Sequence, residues 1–349
     1  MSIPNRVVAV SLVLIVAVAA SLIALRDPAS EPPSRTVPST AATSALYVSD
    51  GRLARLDLDS GTARPIGRTP TTDVYASESS DWIAYAVAGD GAQGGEDFLA
   101  EPVLRAINVE TGAGAEIGPG FNPLWHPTDT RLAYLRPIVR RQCSGESCEG
   151  LLEVVVYDPE SKNATVLTDP GRFNLLAWSA ERVLVADESD LSVTLSLGSR
   201  GGVERLELEP SELWDASPDG RWLLRSDSNG ATLIDLDSGE ESAVQIDQGV
   251  LADGAWSPDS MHIVAGVLNE ARTKTRALLI DVPQGNVQEI TDELPGILDV
   301  SWAPDARRFG FLTFVGRSNR TELNLCSPDD AECEVVGPPL RRANLLRLD

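Results

Sequence analysis

From Ala45 to Asp349 the chain is written in short apolar runs, ALYV at 45–48, RWLLRS at 221–226 and HIVAGV at 262–267 among them, each closed by Gly, Pro, Asp or Ser. Alternation of this kind, rich in β-branched and aromatic residues, predicts half-buried strands joined by tight turns. Two motifs recur. The first is a Trp or Ala, then a Ser-Pro-Asp-like turn, then an alternating run: WSPDSMHIVAG from Trp256, WAPDARRFGFL from Trp302, ASPDGRWLLRS from Ala216, WSAERVLVADE from Trp178, WHPTDTRLAYL from Trp125 and ASESSDWIAYA from Ala76. The second is a run ending in an acidic turn: LDLDSG from Leu56, INVETG from Ile107, VYDPESK from Val156, IDLDSG from Ile234 and IDVPQG from Ile280, with degenerate forms from Leu195 and Asn324. In these turns Pro presets φ, Asp bonds its own backbone and Gly admits positive φ.

Each unit of roughly 40 to 50 residues thus reads as four short strands, the period of a β-propeller blade. The first motif occurs six times and the second seven, and the difference is informative. ALYV aligns with a second strand, so the first unit lacks an inner one. The tail RRANLLRLD, 341–349, is strand-like, with Ala343, Leu345 and Leu348 alternating, and has no unit of its own. Pairing of the tail with residues 45–48 closes the ring at seven blades, six being the alternative count. Trp125, Trp178, Trp256 and Trp302, with Trp214 two residues before Ala216, follow the blade period and are expected to fill the space between adjacent blades.

At these residues the chain resembles the WD40-like PD40 repeat of TolB-like propellers, whose consensus is similar to DPAWSPDGKKIAF. DGAWSPDSMHIVAG from Asp253, DVSWAPDARRFGFL from Asp299 and DASPDGRWLLRS from Asp215 match it best, and weaker copies extend over 45–349. The resemblance implies an all-β propeller and specifies no activity, because propellers host many unrelated functions. The sequence departs from TolB in carrying an anchor-like segment and no separate N-terminal α/β domain before the first blade.

That segment, VVAVSLVLIVAVAASLIAL at 7–25, is uncharged and long enough to cross a bilayer as a helix. Residues 1–26 are therefore expected to form a transmembrane anchor, with a cleaved secretory signal as the competing reading. Residues 27–44, rich in Pro, Ser and Thr, read as an extended linker, and 45–349 as the propeller domain. The four cysteines fall in two close pairs, Cys143 with Cys148 and Cys326 with Cys333. Even, local pairing on an exported chain favours disulfides over a zinc site, whose usual spacing differs. The expected location is the cell membrane, single-pass, with the propeller on the extracytoplasmic side.

The net charge is −23, from 52 acids against 29 bases, which argues against a nucleic-acid partner. No G-x-S-x-G elbow occurs, no Gly-rich phosphate loop opens a helix, and the two histidines, His126 and His262, lack an obvious catalytic partner and read as structural. No catalytic residue, metal site or cofactor is therefore assigned. Three residues before the Trp position stand Asp73, Asn122, Asp253 and Asp299, where one register could bring them around the central channel to attract a cation or a basic partner segment. The alternative is a repeat residue that caps a strand or turn. The functional expectation is a non-enzymatic interaction module for an envelope protein or cell-wall component, held at the membrane by its N-terminal helix. The alternative is a propeller enzyme or small-ligand binder using a divalent metal at an acidic channel.

Overall fold

The structure, a computed structural model, describes residues 43–349 apart from 51, 69–73, 78–79, 88–101, 139–141, 145–146, 150, 180–181, 188–193, 199–201, 207–212, 228–229, 247–248, 270, 317–318, 330–331 and 342. The anchor expected over 1–26 and residues 27–42 of the linker lie outside the described residues. Among the described residues no helix is long and apolar enough to cross a membrane.

Seven four-stranded antiparallel sheets make up the fold. Their first strands are Ala343–Leu348, Val74–Ala76, Phe121–Trp125, Phe173–Ser179, Leu213–Ala216, Val250–Trp256 and Ile297–Trp302, heading blades 1 to 7 in that order. These seven strands touch in cyclic order, the last returning to the first, so they surround a central channel. The ring is therefore a seven-bladed propeller rather than a six-bladed one. A two-stranded hairpin, Gln142–Ser144 with Ser147–Glu149, extends blade 3.

Closure follows the expected route. Ala343–Leu348 pairs antiparallel with Ser44–Ser49, Ala45 opposite Leu348 and Ser49 opposite Ala343. Thr43 N–H donates to the Asp349 carbonyl at 2.7 Å, and Asp349 N–H donates to Ser44 O at 2.7 Å. The sheet thus already includes Ser44. Leu348 takes the Trp position of blade 1 and packs into blade 7 with Leu312, Leu323 and Leu325. Blades 7 and 1 also approach closely at Gly61, where a methyl group would sit 3.2 Å from Gly337 Cα.

The tryptophans wedge between blades. Trp302 packs on Ala255, Val264 and Leu279 of blade 6, Trp256 on Leu224 and Leu233 of blade 5, and Trp178 on Leu135 and Val154 of blade 3. Trp125 lies half-buried against Trp82 and Ala84 of blade 2. The side chain of Trp214 lies outside the described residues. Burial of an indole removes a large apolar area from water, so each wedge is a major stabilising contact of its seam. The Cys326–Cys333 disulfide is present, joining the third and fourth strands of blade 7. In the blade 3 hairpin the backbone register sets Cys143 opposite Cys148; the side chains of that expected pair lie outside the described residues.

Candidate functional site: the channel and the face on which it opens

The repeated Ser-Pro-Asp turn is a hydrogen-bonded clasp between first and second strands. In blade 5, Ser217 Oγ donates to Asp219 Oδ1 at 2.6 Å and accepts the N–H of Trp222 at 2.8 Å, while Asp219 Oδ1 accepts the N–H of Arg221 at 3.0 Å. Blade 6 repeats this with Ser257, Asp259, Met261 and His262. In blade 3, His126 stands in the Ser position. It is 3% exposed, its Nδ1 accepts the N–H of Thr128 at 3.1 Å, and its ring meets Trp178 edge-on at 5.0 Å. His262 lies stacked over Trp302, with Nε2 3.5 Å from Asp281 Oδ1. Both histidines therefore stand in turn and seam packing.

Because successive strands of a blade are antiparallel, the turn after the first strand and the turn after the third leave on the same face. The first turns place Asp81, Asp129, Asp219 and Asp259 there, and the third-to-fourth turns add Asp59, Glu110, Glu160 and Asp237. Two concentric acidic bands result. Several bases of this face are already committed: Arg131 Nη2 lies 2.6 Å from Asp129 Oδ2, and Arg221 Nη2 lies 3.0 Å from Asp235 Oδ2. Burial raises the Asp235 pKa, but hydrogen bonds from Arg221 and from the N–H groups of Asp237 and Ser238 outweigh it, leaving the group below the ordinary carboxylate value.

The channel opens on this face. A cavity of about 460 Å³ is walled by Leu124, Leu176, Ala177, Ala216, Ala255 and Val300 of the first strands. Tyr75, Trp125, Trp178 and Trp256 add aromatic surface, and His126, Pro127 and Pro218 of the first turns place its mouth among the inner acids. Among the described residues Asp215 is the one acidic residue on the wall, and no Lys or Arg lines it.

The four residues singled out at the register three before the Trp position are placed as follows. Asp73 and the side chain of Asp253 lie outside the described residues. Asn122 is exposed and Asp299 half-buried, and neither is part of the cavity wall. Both have positive φ, 51° and 47°, where the pairing register of the first strand slips against the second. Asn and Asp tolerate this left-handed conformation better than other side-chain-bearing residues. Among the described residues no three His, Cys, Asp or Glu side chains converge to hold a metal ion.

Asp215 was not singled out from sequence, although aligning the blades on the Trp position would have shown it. One residue before that position the other first strands carry Tyr75, Leu124, Ala177, Ala255, Ser301 and, in blade 1, Arg347. Arg347 is 5% exposed and turns to blade 2, donating to the Ser77 carbonyl at 2.9 Å and to that of Ser80.

No protein-family model matches this sequence, and no curated protein sequence matches it closely enough to count as a relative. Solved structures do match its fold. TolB from Acinetobacter baumannii aligns with a TM-score of 0.52 and 14% identity over 99% of this chain and 74% of its own. The acylaminoacyl peptidase of Pyrococcus horikoshii aligns with a TM-score of 0.58 and 15% identity over 82% of this chain and 48% of its own. A prolyl endopeptidase structure gives 0.57 and 13% over 88% and 50%. This chain thus spans about half the length of either peptidase. Identities this low speak for architecture alone, and what they establish is a TolB-like seven-bladed β-propeller fold, one shared with propellers of enzymes.

Proposed function

We propose that the chain is a membrane-anchored, extracytoplasmic propeller that works without catalysis as an interaction module, presenting its acidic face to a basic envelope protein or cell-wall component. The observation that carries this reading is the convergence of both turn families on one face, which turns a diffuse net charge of −23 into two ordered acidic bands. Such a surface steers basic partners and rejects acidic ones. The apolar run at 7–25 supports the anchor, and the paired cysteines support an oxidising compartment.

The test is capture from envelope extracts with the full chain, beside a variant in which Asp59, Glu110, Asp219, Asp237 and Asp259 are replaced by their amides. The native chain should retain partners in a salt-dependent manner and the variant should lose them. Equal capture by both, with the same response to salt, would remove the acidic face from the reading. Protease treatment of intact cells should digest the propeller; full protection would contradict its placement outside.

A further inference from the structure

Each blade ends in an outer strand that, among the described residues, no further strand covers. Such an edge is a template for pairing with another chain unless charge or Pro guards it. All but one are guarded. Glu116, Glu204, Glu241 and Glu289 stand on the outer strands of blades 2, 4, 5 and 6, each paired with an Arg of its own blade. Arg64 and Pro65 stand on that of blade 1, and Pro338 and Pro339 on that of blade 7. The outer strand of blade 3, Asn163–Val166, has neither charge nor Pro and is exposed along its whole length. Arg136 of this blade pairs instead with Glu153 on the third strand.

The geometry of this edge suits an added strand. Leu167 N–H donates to the Val154 carbonyl at 2.8 Å, so by antiparallel alternation the inward bonds fall at Asn163, Thr165 and Leu167, and the N–H and C=O groups of Ala164 and Val166 point away from the sheet. Beside the strand, toward blade 4, lies a cleft of about 730 Å³ lined by Leu167, Phe173, Leu197 and Val203, the last 61% exposed. Where an extended segment joins a sheet edge, main-chain bonds supply affinity and pockets for alternate side chains supply specificity.

We propose that blade 3 takes up, as a fifth strand, an extended segment of a partner polypeptide in which apolar residues alternate with Lys or Arg. The segment pairs with Ala164 and Val166, and its apolar side chains enter the cleft against Leu167 and Val203. Charge selects this occupant. The net charge of −23 sets copies of the chain against one another and draws in a basic segment. Among the described residues bordering the edge and cleft, Glu160, Asp169 and Asp187 outnumber Lys162 and Arg172. The assignment stands on the edge and the cleft, independently of whether the acidic face holds a partner.

The test is fluorescence anisotropy of a short labelled peptide of alternating Lys and Val, blocked at both ends, titrated with the full chain. Saturable binding is expected, with amide hydrogen exchange slowed at Ala164 and Val166. A peptide with Pro at its central Val should bind at least about tenfold more weakly, the scale of one backbone hydrogen bond, and a peptide of alternating Glu and Val should not bind. Ala164→Pro removes an outward N–H that the blade does not use, so it should fold and weaken the Lys and Val peptide to the same degree. The amide variant of the acidic face should keep the exchange protection, which separates failure here from failure of the acidic-face reading. Binding that survives Ala164→Pro, equal binding of the Pro peptide, or a native chain that pairs its own edges into a dimer would overturn the proposal. If Ala164→Pro does not fold, the Pro peptide and the exchange of the native chain decide.

Discussion

Arg347, on the last strand of the chain, donates across a blade seam to the carbonyl of Ser77, 270 residues earlier. It also bonds the Ser80 carbonyl and lies 3.5 Å from Asp81 Oδ1. The apolar seam beneath joins Leu46, Leu53, Ile83 and Val109, with Val48, Val74, Ala76 and Ile107 packed against them. A polar clasp therefore reinforces the apolar contact between blades 1 and 2. Replacing Arg347 with Ala should cost about 3 kcal/mol, because buried carbonyls lose a charged donor. Denaturant unfolding measures this, and a loss below about 1 kcal/mol would show that the clasp is dispensable.

The Ser-Pro-Asp clasp predicts coupling within one turn. Ser217→Ala leaves the buried N–H of Trp222 without its acceptor and should cost about 2 kcal/mol. Asp219→Ala should cost less even though the carboxylate also accepts the N–H of Arg221, because it is exposed and water can replace it. Because Ser217 Oγ donates to Asp219, the double variant should be less destabilised than the sum of the singles. Additive losses would mean that the two side chains act separately.

Two wedges of equal burial differ in one bond. Trp302 Nε1 donates to the Ala255 carbonyl at 2.9 Å, while Trp256 Nε1 is buried with no acceptor. Phe at either position loses similar ring area, but only Trp302→Phe also breaks a hydrogen bond. That variant should be less stable than Trp256→Phe by about 1 kcal/mol. Comparison of the two unfolding midpoints, at unchanged denaturant dependence, checks the difference.

Positive φ at Asp299 separates a backbone role from a charge role. If conformation governs the position, Asp299→Gly should be neutral or slightly stabilising, and Asp299→Val should cost about 1 to 2 kcal/mol. A side chain needed for its charge would make Gly and Asn equally harmful to cation or partner binding, whatever their stability. Asn122 invites the same pair of substitutions.

The period of Trp178, Trp256 and Trp302 was legible because each blade must bury the same wedge against its neighbour, so the demand repeats in sequence. Leu348 was legible for the complementary reason: a strand left over at one end matched a strand missing at the other. The register of Asn122 and Asp299 could be read but not its cause, since a slip in strand pairing leaves no mark on apolar alternation. Asp215 escaped notice because its position has no shared residue type: each blade fills that wall differently. Arg347 was invisible for another reason, its acceptors being backbone carbonyls that carry no sequence signature.

Acid should loosen the acidic face before the apolar seams. The Asp235 carboxyl is held below its ordinary value by Arg221 and two backbone N–H donors, against the upward pull of burial. A group whose folded pKa is depressed contributes stability above its unfolded value, near pH 4 for a carboxylate, and loses it as pH falls through the folded value. Asp158, where hydrogen bonds from Ser161 and Glu160 overcome the same desolvation, shifts in the same direction. Both end third strands and hold the turn to the fourth through its N–H and hydroxyl groups, so protonation removes the anchor of the turn and leaves the wedges in place. Stability should therefore fall below about pH 4, and Asp235→Asn should start lower and fall less steeply over that interval. Unfolding followed from pH 6 to pH 2 tests both slopes, and parallel curves for the native and Asn chains would remove Asp235 from the account.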